Sequence, residues 1–522
     1  MSVRLFLRPL RWLLYVAAAL VLVYLVGANL VLNTPILDGV INKKREKTLV
    51  EWESGWTLLP GRIHVEGLRV RGQSKTQQWQ FRLGEADVRL QVLALIDKTV
   101  RSTSVVGTDF HFRQRPRLTA EEAASADTGY YPEIEGLSNP PDPAPEDIYP
   151  PKKKTKRGWH IDVSNVRLTG SVELAVGDFK MSGRGTVLGG VDYQLRETMH
   201  VPRAVFDLEQ GEIVIRGTTY AEDLHITTDV SVGPFVPKET KGLAIFDALL
   251  GQFVLENGTI PDVRVLNAMM PGPRGFELAA GTASFRWAFD KPTQEGSSGD
   301  IEIAARGTQM TMAGRAVSGD FLLNSRLERG RISTGRWAVT ETTLKLENMD
   351  LSLVTAETDE AAKAKDAAAT EPWWGNFTVR RGLLDLGTPG EVEIDFEFEI
   401  KDSEPLLQMF LAKPSKSGGV KLPGWAKLLP DIRNLEGRGR LQVKDDVAVL
   451  EKVVAEGENF DLTAWLESRN KVANGRLYLR YKSLDLGLEL VDGRKDVKIL
   501  RPKRWALEQP QLDHSAVPQK DG

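Results

Sequence analysis

The sequence predicts a mainly β protein: one N-terminal transmembrane helix, then a long antiparallel amphipathic sheet, with few short helices. Three observations carry this. An uncharged apolar run lies near the N-terminus. Two-residue alternation of apolar and polar side chains recurs over most of the remainder. Glycine-centred turn elements punctuate that alternation.

The apolar run is Trp12 to Leu32, WLLYVAAALVLVYLVGANLVL. Its 21 residues, at about 1.5 Å each, span roughly 31 Å, close to a hydrocarbon core. Arg4, Arg8 and Arg11 precede it, and the next basic residues are Lys43, Lys44, Arg45 and Lys47. The bias beside the span favours a cytoplasmic N-terminus, and long C-terminal domains translocate largely regardless of charge. Residues 1–34 are thus expected to be a cytoplasmic N-terminus and anchor. The competing reading is a cleaved signal peptide, because Val26-Gly27-Ala28 resembles a small-residue cleavage site. Against it, the apolar run continues through Leu30-Val31-Leu32.

The strands follow. Trp79, Phe81 and Leu83 alternate with polar residues; after a phase shift at Gly84-Glu85, Ala86, Val88, Leu90 and Val92 continue the pattern. Val106, Thr108, Phe110 and Phe112 repeat it, as do Val172, Leu174 and Val176, and Ala283, Phe285, Trp287 and Phe289. The clearest strand alternates Val392, Ile394, Phe396, Phe398 and Ile400 with Glu393, Asp395, Glu397 and Glu399. One dry face and one wet face describe an antiparallel sheet. A polar–Gly–x–aliphatic element recurs at irregular spacing, for example Glu66-Gly67-Leu68-Arg69-Val70, Gln210-Gly211-Glu212-Ile213, Asn257-Gly258-Thr259-Ile260 and Arg329-Gly330-Arg331-Ile332. Here glycine is expected to supply the positive φ of a tight hairpin or bulge. The irregular spacing excludes a fixed-period solenoid.

Short helices are expected at Gly242–Leu250, Glu404–Ala412 and Gly424–Leu429. Residues 35–113 are read as a membrane-proximal helix and first strands, and 114–158 as a disordered Pro-rich, charged linker. Residues 159–355 and 372–505 are β-rich, 356–371 an acidic, alanine-rich insertion, and 506–522 a disordered tail.

Composition bounds the chemistry. With 41% hydrophobic and 27% charged residues the chain is not disordered as a whole, and a net charge of −3 speaks against nucleic acid as main partner. The absence of cysteine excludes disulfides, cysteine-ligated zinc, iron–sulfur clusters and a thiol nucleophile. His64, His111, His160, His200, His225 and His514 include no two closer than 25 residues, so no HExxH pair exists. No nucleophile elbow, P-loop or dinucleotide fingerprint is present. The sequence thus implies no enzyme activity, cofactor or metal. Trp373-Trp374 reads either as an interfacial anchor or as the edge of a core.

The basic N-terminus, the apolar span and the segment Trp56-Thr57-Leu58-Leu59-Pro60-Gly61-Arg62-Ile63-His64-Val65-Glu66-Gly67-Leu68 resemble the opening of an AsmA-like protein. More loosely, they resemble the wider TamB and bridge-like lipid-transfer group of envelope proteins. The resemblance is sharpest over residues 1–113; from Trp159-His160-Ile161-Asp162-Val163 onward it is one of style. It implies a helix within Pro35 to Trp52, first strands over Arg62 to Phe112, and a sheet curled into a taco-like groove. It further implies a single-pass protein of the inner (cytoplasmic) membrane with most of its chain periplasmic. Its role would be lipid transport between envelope membranes or outer-membrane integrity, with a phospholipid or other envelope lipid as partner. No catalytic residue carries over.

On that implication the groove candidates are Phe81, Leu83, Val88, Leu90, Phe110, Phe112, Phe285, Trp287, Phe289, Ile394, Phe396 and Phe398. Alternation alone does not separate an open groove from a sandwich or a barrel. From Arg469 to Arg504, eleven Lys or Arg stand against four Asp or Glu. Arg494, Lys495, Lys498, Arg501, Lys503 and Arg504 are therefore candidates for a membrane surface, the bland reading being a solvated strand face and basic tail. The alternative function is a structural or assembly factor that binds envelope proteins by strand addition. A hydrolase with an unrecognised site is the remaining class.

Overall fold

The computed structural model describes residues 4–517 apart from 44, 46, 75–76, 118–128, 139–157, 195–196, 237–246, 269–275, 294–295, 313–314, 332–333, 351–371, 386–390, 403–412, 415–419, 422–431, 445–446, 470–471 and 493. Among these residues the protein is mainly β and mostly antiparallel, with few helices. It forms two compact units, Met1–Val254 and Leu255–Gly522.

The first unit opens with α1 (Arg4–Leu32) and α2 (Pro35–Ile41), then β1 (Thr48–Glu51), β2 (Ser54–Leu59), β3 (Arg62–Gln73), β4 (Gln77–Leu90) and β5 (Thr99–Pro116). It continues with β6 (His160–Val176), β7 (Phe179–Gln194), β8 (Met199–Ile215), β9 (Thr218–Phe235) and the start of β10 (Leu249–Ile260). β1 and β2 pair with different stretches of β3, and each later strand to β9 pairs with the one before it. All these ladders are antiparallel except β5–β6, which is parallel. A parallel partner obliges the chain to travel back along the sheet. Residues 117–159 connect the two strands, and 129–138 are the longest described part of that connection.

Part of the expected 114–158 linker is therefore structured. Arg115 and Pro116 belong to β5, and residues 129–138 lie against the sheet. Arg113 and Arg115 donate to the carbonyls of Glu133 and Pro132, at 3.2 and 3.1 Å, and Ile134 is buried beneath. The helix expected within Pro35 to Trp52 stops at Ile41. Asn42 then behaves like a strand residue: its side chain exchanges two hydrogen bonds with the backbone of Val50, both at 2.8 Å, and β1 follows.

Of the helix expected over Gly242–Leu250, Leu249 and Leu250 instead open β10; residues 242–246 lie outside the described ones, as do the helices expected at 404–412 and 424–429 and the insertion 356–371.

The second unit holds the rest of β10, then β11 (Phe276–Ala280), β12 (Ala283–Thr293), β13 (Gly296–Met312), β14 (Arg315–Arg331), β15 (Arg336–Asp350), β16 (Trp373–Asp385) and β17 (Glu391–Asp402). β18 (Lys413–Pro414) and β19 (Val420–Lys421) pair only with each other. β20 (Arg433–Lys444), β21 (Val447–Gly457), β22 (Phe460–Arg469), β23 (Val472–Tyr481), β24 (Leu484–Val491), β25 (Arg494–Lys498) and α3 (Pro502–Leu507) complete it. From β12 to β17, then β20 to β25, the strands form one antiparallel succession, with β17 beside β20.

The expected disordered tail is packed as far as Val517. Ala506, Leu512 and Val517 form a buried cluster with Tyr478. The apolar residues of this otherwise polar tail are the ones that dock.

The glycine elements lie within strands rather than in hairpins, and the left-handed residue is mostly the polar one before the glycine. Gln210, Asn257 and Arg329 have φ of 53°, 56° and 50°. Only in the first element does the glycine itself take this conformation, Gly67 at φ 60°.

Candidate functional site

Strand register shows which side chains share a face, because directly paired residues point the same way. In the first unit one row runs Val70, Phe81, Phe112, Leu174, Met181, Ile213, Ala221, crossing from β3 to β9. A second runs Val65, Ala86, Gly107, Leu168, Val187, Phe206, and a third Ile63, Val88, Val105, Val166, Gly189, Ala204, Val230. No charged residue interrupts them. The second row is largely buried; the third is half-buried throughout.

The first-unit candidates sit on this face. Phe81 pairs with Phe112, and the Phe110 ring lies 5.6 Å from that of Phe81. Leu83 is buried beside them, Val88 lies on the third row, and Leu90 faces Ser102 where the apolar rows end.

The second unit repeats the arrangement on other strands. One row reads Phe285, Ile303, Leu323, Leu344, Phe377, Phe398, Gly437, Ala455, Leu462, Leu479, Leu486. Another reads Phe289, Gly299, Leu327, Val339, Gly382, Ile394, Leu441, Leu450, Leu466, Gly475, Leu490. Between them lie Trp287, paired with Ile301, and Phe396, paired with Val379 and Gly439. The rings of Phe377 and Phe396 are 6.4 and 6.3 Å from Phe398, and all three are half-buried. The large rings lie across glycines: a Cβ at Gly439 would stand 2.9 Å from Cζ of Phe396. Thus Phe285, Trp287, Phe289, Ile394, Phe396 and Phe398 share one face, Phe289 alone being buried. Trp373 is buried too, with its Nε1 donating to Asp402 O at 3.1 Å, which is the core-edge arrangement.

The reverse face carries the charges, paired across strands. Asp395 accepts from Arg440 Nε at 2.6 Å and Arg381 Nε at 2.7 Å, and these bonds hold its carboxyl down at about 2. Arg380 pairs with Glu397 at 2.7 Å. His64 meets Asp87 at 3.0 Å, His160 meets Asp192 at 2.7 Å and His225 meets Asp207 at 3.0 Å. These are cross-strand pairs on a solvated face, and among the described residues no group of carboxylates and histidines could hold a metal ion. Asp109, with φ 53°, accepts from the Ser171 N–H at 3.0 Å and its hydroxyl at 2.9 Å, which lowers its pKa and ties β5 to its parallel partner. The segment 129–138 also lies on this face, since Arg113 and Arg115 alternate with Phe112. The return chain's described part leaves the apolar rows clear.

Sequence reading missed the docking of α1. Asn29 exchanges two hydrogen bonds with the backbone of Thr57, at 2.9 and 2.8 Å, and Asn33 two with Gly55, at 2.6 and 3.1 Å. Two asparagines one helical turn apart thus satisfy the free edge of β2 as a strand would. The signal was an i, i+4 asparagine pair closing an apolar run. Among the described residues no helix is long and apolar enough to cross a membrane; of the span Trp12 to Leu32, side chains 12–14 and 16–18 lie outside the description.

The basic candidates gather at the C-terminal edge. Arg494 and Lys495 are exposed on β25, and Lys498 pairs with Asp496 at 2.5 Å. Arg501, at φ 52°, precedes α3, which carries Lys503 and Arg504, the latter 3.2 Å from Glu508. Ile499 and Leu500 stand exposed between them, Leu500 at 91%.

No family model, no curated protein and no solved structure matches the chain.

Proposed function

We propose that this chain is a membrane-anchored β protein that holds acyl chains of a phospholipid or another envelope lipid on its apolar sheet face, and serves lipid transfer between envelope membranes or the integrity of the outer membrane. The observation that carries this reading is the set of charge-free rows, continuous from strand to strand in each unit and half-buried along much of their length. Apolar surface of that extent calls for a cover. Acyl methylenes would supply one, at about 0.8 kcal/mol for each removed from water. In this reading α1 is an inner-membrane anchor with a cytoplasmic N-terminus, and the sheet is periplasmic. The basic edge around Arg494, Lys495 and Arg501, with Ile499 and Leu500 between the charges, meets anionic headgroups.

The test is photocrosslinking of the full chain, reconstituted into vesicles doped with a phospholipid carrying a photoreactive acyl chain. Crosslinks on β16, β17 and β20 that largely vanish in a folded F396E/F398E variant support the proposal. Crosslinks confined to α1, with the sheet lipid-free, sink it and favour the assembly role.

A further inference from the structure

The short 3-10 helix Val92–Asp97, between β4 and β5, has no buried residue. Leu93 and Ile96 are 80% and 79% exposed. Leu58 and Leu59, at the end of β2, are exposed as well. The two segments meet, since the Leu90 N–H donates to Gly61 O at 2.7 Å and Val92 adjoins Gly61. Loops that face water are ordinarily polar, so large apolar side chains clustered at one end of a sheet mark a contact.

The docking of α1 indicates with what. Asn33 bonds Gly55 and Asn29 bonds Thr57, so helix and strand run antiparallel. Past Thr57, β2 therefore heads toward the N-terminal half of the helix. Two further strand residues, at about 3.3 Å each, bring Leu59 level with Leu25. In a span from Trp12 to Leu32 that level lies about 10 Å short of the C-terminal end, a depth where interfacial apolar segments reside. Around the cluster stand the exposed cations Arg62, Arg89 and Lys98, the first two paired in register. Trp56 is exposed just before it, an amphipathic ring suited to the boundary between water and lipid.

We infer that the β2–β3 turn and the Val92–Asp97 helix form a platform that inserts into the bilayer beside α1, seating the base of the sheet at acyl-chain depth among anionic headgroups. The inference rests on α1 being an anchor. The platform adds a second contact that fixes the sheet's height and tilt, which one helix alone would leave free.

The chain contains no cysteine, so a single introduced thiol reports its own site. L93C, I96C and, as a reference on α1, L22C are each labelled with an environment-sensitive fluorophore in the full chain. The proteins are reconstituted into phosphatidylcholine–phosphatidylglycerol vesicles. Labels at Leu93 and Ile96 are expected to shift to the blue, lose most of their emission to spin-labelled acyl chains and resist aqueous iodide. Iodide quenching at both loop sites, with Leu22 in lipid, overturns the platform and leaves the anchor standing. Iodide quenching at all three positions overturns both. Loop labels shielded from iodide yet untouched by the spin-labelled lipid mean that protein covers the patch, which also overturns the inference.

Discussion

Two rows of the second unit lie side by side on the same strands and have different surroundings. The row Phe285, Ile303, Leu323, Leu344, Phe377, Phe398 is half-buried at most positions. Two residues along, Ala283, Ala305, Phe321, Leu346, Gly375, Ile400, Leu435 is buried at every one. Both rows are free of charged and polar side chains, although the second includes the small residues Ala283, Ala305 and Gly375, so polarity does not separate them. What differs is what lies over each. Val263 and Leu266, from the 3-10 segment Val263–Ala268, join the second row in one core with Met349, Trp373 and Ile432. Among the described residues the first row packs against the edge of that same core and stays half-buried at most positions. Among the described residues, one face of one sheet is thus sealed along one row and only half-buried along the next.

The sharpest way to break this comparison is truncation in each row. Ile400 is 0% exposed, so Ile400→Ala should remove about 2–5 kcal/mol of unfolding free energy, the transfer loss plus an uncollapsed cavity. Phe398→Ala, although it deletes a larger side chain, should cost only about 1–2 kcal/mol, because part of the ring is never removed from water. Denaturant midpoints of the two variants decide it. Equal losses, or a larger one at Phe398, would mean that the half-buried row is packed and the distinction is false.

Which residues share a face was legible in the sequence, because the period of two encodes it directly. Ile394, Phe396 and Phe398 lie where alternation puts them, and between them Asp395 pairs with Arg381 and Arg440 and Glu397 with Arg380 on the far side. Which part of that face is sealed was not legible. It depends on Val263 and Leu266, over a hundred residues from Ile400 in the chain, and no local pattern records that meeting. The parallel ladder between β5 and β6 was hidden for the same reason: alternation fixes orientation about the strand, not the identity of the neighbour. Proline and charge made residues 129–138 look free, whereas the arginines that hold them are on β3 and β5. The polar tail looked equally free, yet Leu512 and Val517 dock on Tyr478. At the N-terminus the hydropathy of the run drew attention away from Asn29 and Asn33, the two residues that join helix to sheet.

A smaller effect sharpens the same contrast from the opposite direction, by adding atoms. A Cβ at Gly375, in the sealed row, would stand 2.8 Å from Cη2 of Trp373 and 3.2 Å from Cγ2 of Ile400. Trp373 is buried and tethered to Asp402, so Gly375→Ala should cost about 1–3 kcal/mol by overpacking. At Gly439 the obstructing atoms are the far edge of the half-buried Phe396 ring and Cγ2 of Val453. The ring can swing aside there, and Gly439→Ala also narrows the unfolded ensemble, so its net cost should stay below about 1 kcal/mol. Thermal midpoints compare the pair. A loss at Gly439 as large as at Gly375 would show that Phe396 has no room to move.

The smallest effect tests whether the charged reverse face matters to the half-buried rows at all. Asp395 stands between Ile394 and Phe396 on β17, facing the other way, and its pKa of about 2 lies below the ordinary carboxylate value because Arg440 and Arg381 donate to it. A depressed folded pKa contributes stability that is complete above the unfolded value of 3.8 and is lost as pH falls toward 2. The bonds are partly solvated and Arg381 is mostly exposed, so the contribution is about 1 kcal/mol after screening. Asp395→Asn should therefore be less stable at neutral pH by about that amount and lose stability less steeply between pH 4 and 2. Any lipid retained on the Phe396 side should be unchanged in the same variant, since the substitution leaves the apolar face untouched. An Asp395→Asn protein with the parent's acid slope would place the titration elsewhere. One that folds but loses its lipid would show that the two faces of β17 are coupled, and that the half-buried row owes its shape to the ion pairs behind it.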